Sequence, residues 1–279
     1  MTYSAEISRD NPTMFLFMID QSGSMDEKMT TGKSKAAFVA DVLNKTLSHL
    51  IVNCTKAEGI RNYFDIAVIG YGGNGVVAGL GGALGGKMVH PISDLGSAPL
   101  RIENRTRLMD DGVGGVVETS SKFPVWFDPI SSGGTPMRAA LMKAAEVLVE
   151  WCDAHPNNYP PTVLHITDGA STDGDPEDIM SAASGISTND GSCLFFNLHV
   201  STQELTPIEF ANSESQLPDD YARMLFRMSS VLPNHVAKFA QDKGYPLKEA
   251  ARGFMFNADA RKIADFFEIG TRPRLTVDK

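Results

Sequence analysis

Two short apolar segments, each followed by a polar group that contains an acid, constrain the fold most strongly. Residues 14–19 form a continuous apolar run that ends at Asp20, and residues 163–166 form a mostly apolar run that is followed by Thr167 and Asp168. Such runs are typical of strands that are buried on both faces of a parallel sheet. Amphipathic helical segments lie between the apolar runs. We therefore predict the α/β class, a three-layer, Rossmann-like fold with a mostly parallel central sheet flanked by helices.

The same patterns predict the remaining elements. Further strands are predicted at 63–71, 193–200 and 254–256. Helices are predicted at 33–51, from Pro136 onward, and at 176–187, 219–230, 234–243 and 258–269. The polar stretch 201–218 is predicted to be a surface loop.

The alternation of strands and helices continues through residues 1–279, so we predict a single domain. Nine glycines between positions 70 and 86 exclude a helix and leave a loop or a glycine-rich hairpin. Residues 87–125 are predicted to be irregular, with weak strand signals. The segment 72–125 is therefore interpreted as an insertion, and 201–279 as the part that holds the C-terminal helices and the last strand.

Charge and cysteine content exclude some functions and favour one compartment. The chain has 25 Lys+Arg against 34 Asp+Glu, a net charge of −9, which argues against nucleic-acid binding and against binding to an anionic membrane. It contains no run of about 18 apolar residues, and its polar start lacks the apolar stretch of a signal peptide. Cys54, Cys152 and Cys193 are widely spaced, which favours three buried, reduced thiols. Together these features predict a cytoplasmic protein.

Two glycine-rich motifs resemble nucleotide-binding loops, but we reject both. Residues 70–75 match G-x-G-x-x-G, yet the residues that follow are too rich in glycine to form the helix that would hold a pyrophosphate. Residues 81–88 approach a P-loop, but Met88 stands where Ser or Thr should bind Mg²⁺. The glycines are better explained by close packing of a loop. The scattered histidines, such as His165 and His199, are predicted to be satisfied within the sheet.

Three polar clusters are candidates for a functional site. Residues 20–24 and 167–169 follow predicted strands, and residues 133–136 begin a predicted helix. Loops at the carboxyl ends of parallel strands converge on one crevice, so these clusters can meet there. They offer hydroxyl and carboxylate oxygens, which suit Mg²⁺, Mn²⁺ or Ca²⁺ rather than zinc. The sequence therefore predicts a site for a divalent cation at Asp20, Ser22, Ser24, Thr135 and Asp168.

The pattern Asp20-x-Ser22-x-Ser24, together with Thr135 and Asp168, resembles the metal-ion-dependent adhesion site of von Willebrand factor A domains. All five motif positions match in the family's order. The resemblance is clear over residues 12–200 and extends plausibly to 270. In size, and in lacking a signal sequence, the chain is most similar to bacterial cytoplasmic members of tellurite-resistance-type gene clusters.

The resemblance implies roles for these residues and a class of partner. Ser22, Ser24 and Thr135 would contact the metal directly, whereas Asp20 and Asp168 would act largely through bound water. The contacts of Thr135 and Asp168 would depend on the conformational state. A partner protein would complete the metal sphere with an Asp or Glu carboxylate, and the partners implied are a phosphatase, kinase or ATPase encoded in the same operon. The chain would then be a non-catalytic scaffold, with Mg²⁺ as the first choice of metal.

Two alternatives remain open from the sequence. A phosphatase-like hydrolase would use Asp20 as a nucleophile beside Mg²⁺, although that chemistry favours a second carboxylate where this chain has Ser22. The resemblance also implies a conformational switch in which the last helix moves as the metal ligands rearrange.

Overall fold

Helices lie between the predicted strands along the chain, as the apolar patterns indicate. The computed structural model describes residues 3–110, 116–202 and 206–272. The strands are β1 (Thr13–Gln21), β2 (Thr55–Lys56), β3 (Gly59–Ile60), β4 (Phe64–Gly72), β5 (Gly75–Ala78), β6 (Val89–Pro91), β7 (Arg101–Asp110), β8 (Val116–Val125), β9 (Thr162–Thr167), β10 (Ser187–Thr188), β11 (Gly191–Ser192), β12 (Leu194–Val200), β13 (Ile208–Glu209) and β14 (Phe254–Ala258). The α-helices are α1 (Lys35–Cys54), α2 (Ile92–Ser97), α3 (Met137–Ala154), α4 (Glu177–Ala183), α5 (Asp220–Arg227), α6 (Asn234–Asp242) and α7 (Ala260–Gly270).

The central sheet has the strand order β13-β14-β12-β9-β1-β4-β5, and β6 also pairs with β4. The five inner strands are parallel to one another, whereas β5, β6 and β13 are antiparallel additions at the edges. If β6 and β13 are left out and the other six strands are numbered in chain order, the order from β5 to β14 is 3-2-1-4-5-6, as in doubly wound folds. The order reverses between β1 and β9. The carboxyl ends of β1 and β9 therefore lie next to each other.

Alternating side chains of β1 face two separate apolar cores. Phe15 and Phe17 pack in the core that α1 and α7 cover, and Leu16 and Met18 pack in the core that α3 covers. A strand buried on both faces must be apolar at every position, which explains why the run before Asp20 is continuous. The predicted α/β class, with a mostly parallel sheet between two helical layers, is confirmed.

The region after β4 is more regular than the sequence predicts. Its glycine-rich part forms the β4–β5 hairpin, one of the two structures that the sequence left open. Residues 87–125, which are predicted to be irregular with weak strand signals, contain regular strands: β6 pairs with β4, and β7 and β8 form an antiparallel hairpin with Arg101 opposite Val125. The described residues of this hairpin are mostly exposed, so it lacks the apolar alternation that marks a half-buried strand. Residues 111–115 lie outside the described part of the chain.

The C-terminal part contains the predicted helices and the last strand. The bounds of helices α5, α6 and α7 and of strand β14 lie within three residues of the predicted ones. The predicted loop 201–218 also contains β13, which pairs with β14 at the edge of the sheet. Residues 203–205 and 273–279 of this part lie outside the described residues.

Two features bear on the chain's environment. No helix among the described residues is both long and apolar enough to cross a membrane. All three cysteines are buried, as predicted, but two of them are not separate: the sulfur atoms of Cys152 and Cys193 are 3.7 Å apart. The sequence spacing of the cysteines does not predict this contact, because α3 and the start of β12 meet only in the folded chain. The cysteines therefore give no argument for a reducing compartment, and cytoplasmic location stays a prediction.

Candidate metal centre

Three loops meet at the carboxyl edge of the sheet, where the sequence predicts a site. A backbone hydrogen bond of 2.9 Å from Gly23 N–H to the Gly133 carbonyl joins the first loop to the second. A second bond, of 2.8 Å, runs from Ser132 N–H to the carbonyl of Gln21. Because backbone groups make these bonds, the relative position of the two loops does not depend on long, adjustable side chains.

Glycine is required where the β4–β5 hairpin touches the second loop. Gly73 N–H donates to the carbonyl of Ser132 at 2.6 Å, and Gly133 has a φ of +68°. A Cβ atom on Gly133 would lie 2.4 Å from the Cα of Gly73, closer than real Cβ atoms approach. The prediction that glycines here permit close packing of a loop is confirmed, and the hairpin supports the site from one side. Residues 70–75 lead into strand β5 and not into a helix, unlike a dinucleotide-binding turn.

The third loop is fixed to the second and to helix α3. Thr135 N–H donates to Thr172 Oγ1, and Thr172 N–H donates to the Thr135 carbonyl, each at 2.9 Å. The carboxylate of Asp173 accepts hydrogen bonds of 3.0 and 2.9 Å from the N–H groups of Arg138 and Ala139. Asp173 thus satisfies two of the free donors in the first turn of α3 from outside the helix. Thr135 is 5% exposed and lies two residues before the first residue of that helix.

Asp20 is a buried carboxylate that is held by neutral donors. It is 1% exposed, and its two oxygens accept hydrogen bonds of 2.8 Å from Ser22 N–H and from the Thr167 hydroxyl. Burial raises the pKa of Asp20, with a smaller contribution in the same direction from the charge of Asp168. Among the described residues, no Lys, Arg or His nitrogen lies within 4 Å of this carboxylate. Negative charge is therefore concentrated here without a bound counter-charge, which favours a cation.

The two serines link the first loop to Asp168. The hydroxyl oxygens of Ser22 and Ser24 are 3.1 Å apart, and Ser24 Oγ donates to Asp168 Oδ1 at 2.7 Å. Four of the five predicted site residues thus form one chain of hydrogen bonds. Within the described contacts, the Thr135 hydroxyl makes no direct bond to the other four, although its loop is joined to theirs. The structure therefore gathers all three predicted loops at one place.

Lys35 is a member of the site that sequence reasoning missed. Its ammonium group contacts Asp168 Oδ2 at 2.9 Å and Glu27 Oε2 at 2.7 Å, and the residue is only 4% exposed. Lys35 lies in the first turn of α1, one helical turn before the buried Val39. The sequence did contain a signal for this role: Lys35 lies on the same helical stripe as core residues, and a lysine is rarely buried without an ionic partner.

The donor chemistry fits the cation that the sequence predicts. The site offers three hydroxyls and two carboxylates, which are ligands for hard cations such as Mg²⁺. Among the described residues, no group of three or more His, Cys, Asp or Glu side chains is placed to hold a metal ion. His199 lies near Asp168, but its Nδ1 accepts a hydrogen bond from the backbone N–H of Asn257. Burial lowers the pKa of His199 to about 4, so it is neutral at pH 7.

A second polar cluster lies within the sheet and is satisfied internally. The Tyr71 hydroxyl is 2.7 Å from His165 Nε2, and His165 Nδ1 is 2.8 Å from Asn197 Oδ1. The Asn197 amide donates to the Met228 carbonyl and to the Ser229 hydroxyl. Burial lowers the pKa of His165 to about 4. The prediction that His165 is a satisfied histidine of the sheet is confirmed.

Comparisons with known proteins give structural likenesses only. No protein-family model and no curated protein matches the chain. Similar solved structures include proximal thread matrix protein 1 from the mussel byssus (TM-score 0.49, 11% identity, 95% of this chain and 48% of that one). They also include the pilus adhesin SpaC of Lactobacillus rhamnosus GG (0.49, 11%, 92% and 30%). A third is the vWF domain of the type V pili tip protein Mfa5 of Porphyromonas gingivalis (0.35, 15%, 95% and 98%).

The chain spans less than half of the length of the first two of these structures. All three TM-scores lie below 0.5, and all identities lie below 25%. The α/β assignment therefore rests on the strand order and register of this chain itself.

Proposed function

We propose that this chain is a protein-binding module that holds a divalent cation, Mg²⁺ first, with Mn²⁺ and Ca²⁺ as alternatives. The residues that would hold it are Asp20, Ser22, Ser24, Thr135 and Asp168. The single observation that carries this proposal is the Asp20 carboxylate, which is buried, accepts hydrogen bonds from a backbone N–H and a hydroxyl, and contacts no cationic side chain among the described residues. The match of all five positions to the metal-ion-dependent adhesion site of von Willebrand factor A domains supports it.

The side chains have distinct tasks in this proposal. A bound cation would supply an electrophilic position for an Asp or Glu carboxylate of a partner protein. Asp20 provides negative charge at the base of the site, and Ser22 and Ser24 present hydroxyl oxygens above it. Lys35 balances the charge of Asp168, so that one of the two carboxylates already has a counter-ion. A bound cation would itself be the positive charge that an incoming acidic group meets, which suits such a group despite the chain's charge of −9.

The hydrolase alternative is less well supported. The hydroxyls of Ser22 and Ser24 are hydrogen-bonded to each other and to Asp168, and no described histidine contacts either of them. A serine nucleophile would need a general base, and an aspartyl nucleophile would favour a second carboxylate where Ser22 stands. We therefore propose that the chain is not an enzyme. Turnover of p-nitrophenyl phosphate that is lost in Asp20→Asn would reverse this choice.

A capture experiment tests the proposed function. The immobilised chain is incubated with a lysate of its source cells in Mg²⁺ and then washed with EDTA. We expect EDTA to release specific proteins, and we expect Asp20→Ala to capture none of them. Asp153→Ala is the matched control, because Asp153 is an exposed acid at the far end of α3. Capture that is unchanged by both EDTA and Asp20→Ala would contradict metal-dependent binding.

The finer expectations remain proposals. An operon-encoded phosphatase, kinase or ATPase as partner, the kinship with tellurite-resistance-type proteins and the cytoplasmic location all rest on the resemblance or on the sequence. The movement of the last helix, α7, is likewise an implication of the resemblance. Identification of the EDTA-released proteins addresses the partner directly.

A further inference from the structure

The contact between Cys152 and Cys193 lies outside the candidate metal centre. Cys152 is in the last turn of α3, and Cys193 directly precedes β12. Their sulfur atoms are 3.7 Å apart, and the residues are 3% and 2% exposed. We propose that these two cysteines form an intrachain disulfide when the chain folds in the presence of a disulfide oxidant, whereas Cys54 stays a thiol.

The geometry requires only a small adjustment. A disulfide has an S–S distance of about 2.05 Å, so each sulfur must move by less than about 1 Å, which small side-chain rotations can supply. Both residues are at the ends of their elements, so the bond would not disturb the interior of either. Both belong to the same apolar core, between the sheet and α3. The bond would tie the end of α3 to the start of β12, closing a loop between residues 41 positions apart.

The chemistry is a thiol–disulfide exchange with glutathione disulfide as the named class of oxidant. The Cys152 thiolate attacks one sulfur of the oxidant, which releases one glutathione thiolate and leaves a mixed disulfide. Cys193 passes its proton to the released thiolate and attacks the Cys152 sulfur, which expels the second glutathione; a proton from solvent completes that thiol. Two protein thiols are oxidised and one external disulfide is reduced to two thiols.

Burial determines when the bond can form. Both sulfurs are closed off in the folded chain, and buried thiols react slowly with external reagents. The exchange therefore belongs to folding, before the core between α3 and the sheet closes. Cys54 provides an internal comparison, because it lies at the end of α1 in the opposite core. Burial raises the pKa of Cys54 to about 12, and no second described cysteine lies beside it.

The test is a count of thiols after refolding. The reduced, denatured full chain is refolded in a glutathione redox buffer, quenched with acid, denatured, alkylated with N-ethylmaleimide and weighed by mass spectrometry. We expect one alkylated thiol, a 152–193 cross-linked peptide, and a melting temperature about 5 °C above that of the reduced chain. The Cys54→Ser variant should retain the cross-link and have no free thiol. The Cys152→Ser variant should have two free thiols and no cross-link.

Two results would overturn the proposal. One is a natively folded chain, verified by circular dichroism, with three alkylated thiols after refolding in oxidised glutathione. The other is a cross-link that includes Cys54. The wild-type thiol count needs no variant to fold, so the proposal can fail on that measurement alone.

Discussion

Two polar clusters are built into the same sheet, and they differ in how their charges are balanced. In the interior cluster, Tyr71, His165 and Asn197 exchange hydrogen bonds between neutral groups. At the carboxyl edge, Asp20 and Asp168 are both carboxylates, and only Asp168 has a described cationic partner, Lys35. Both clusters draw on neighbouring strands and both are largely buried.

This difference in charge balance distinguishes the interior cluster, which is structural, from the candidate binding site at the carboxyl edge. A buried group with all of its partners within the chain has nothing further to gain from a ligand. The Asp20 carboxylate instead has hydrogen-bond donors but no described cationic partner, and burial disfavours its charged form by raising its pKa. A divalent cation would offset the cost of burying the Asp20 charge at the carboxyl edge of the sheet. The interior cluster has no such charge for a cation to offset.

The largest expected effect follows from removing Lys35, the described cationic partner of Asp168. Lys35→Met leaves the buried Asp168 carboxylate unpaired, so without metal the free energy of unfolding should fall by about 4 kcal/mol. Added Mg²⁺ should restore part of this loss, because it supplies positive charge at the same place. Urea unfolding in EDTA and in Mg²⁺ measures both values. Equal losses in the two conditions would show that Lys35 acts independently of the metal centre.

Asp20→Asn should separate folding from binding. The amide removes the buried charge, and its NH₂ group can donate to the Thr167 hydroxyl. In EDTA we therefore expect the variant to be as stable as the wild type or up to about 1 kcal/mol more stable. Its affinity for Mg²⁺ should fall at least about 100-fold, equivalent to about 3 kcal/mol. Calorimetric titration with Mg²⁺ gives the affinity, and a variant that binds as the wild type does would remove Asp20 from the site.

The interior cluster should respond to pH and not to metal. Burial lowers the pKa of His165 from 6.5 to about 4, so between these values the unfolded chain binds a proton that the folded chain does not. The free energy of unfolding should therefore fall as pH is lowered from about 6.5 to about 4, by about 3 kcal/mol for this residue. His199 should add a similar dependence.

The contribution of His165 is isolated by comparison with His165→Gln, which cannot gain the proton. The difference in unfolding free energy between wild type and variant should change across this pH range and be constant above pH 7. It should be the same in Mg²⁺ and in EDTA. A pH-independent difference would mean that His165 is not the neutral, buried group described here.

Much of this architecture could be predicted because its signals are local. The apolar run before Asp20 indicates a buried strand within a few residues. The glycines around position 73 likewise indicate close packing of the backbone. The loops that gather at the carboxyl edge follow from the rule for parallel sheets. The identity of the five candidate residues was likewise available from the sequence, and their proximity is what the structure adds.

The rest depends on distant partners. Lys35 is buried because Asp168, 133 positions away, lies beside it. Cys152 and Cys193 meet only because α3 packs beside the start of β12. The described residues of the β7–β8 hairpin are mostly exposed and show little apolar pattern, so its strands are defined by each other and not by the core.

We propose that a divalent cation binds at the carboxyl edge of the sheet. Anomalous diffraction recorded at the manganese edge, from a crystal of the chain grown in Mn²⁺, would locate the ion itself. We expect one strong anomalous peak in contact with the hydroxyl oxygens of Ser22 and Ser24, which is absent from crystals of Asp20→Asn. Strong peaks elsewhere with none at this edge, or an equal peak in Asp20→Asn, would contradict it.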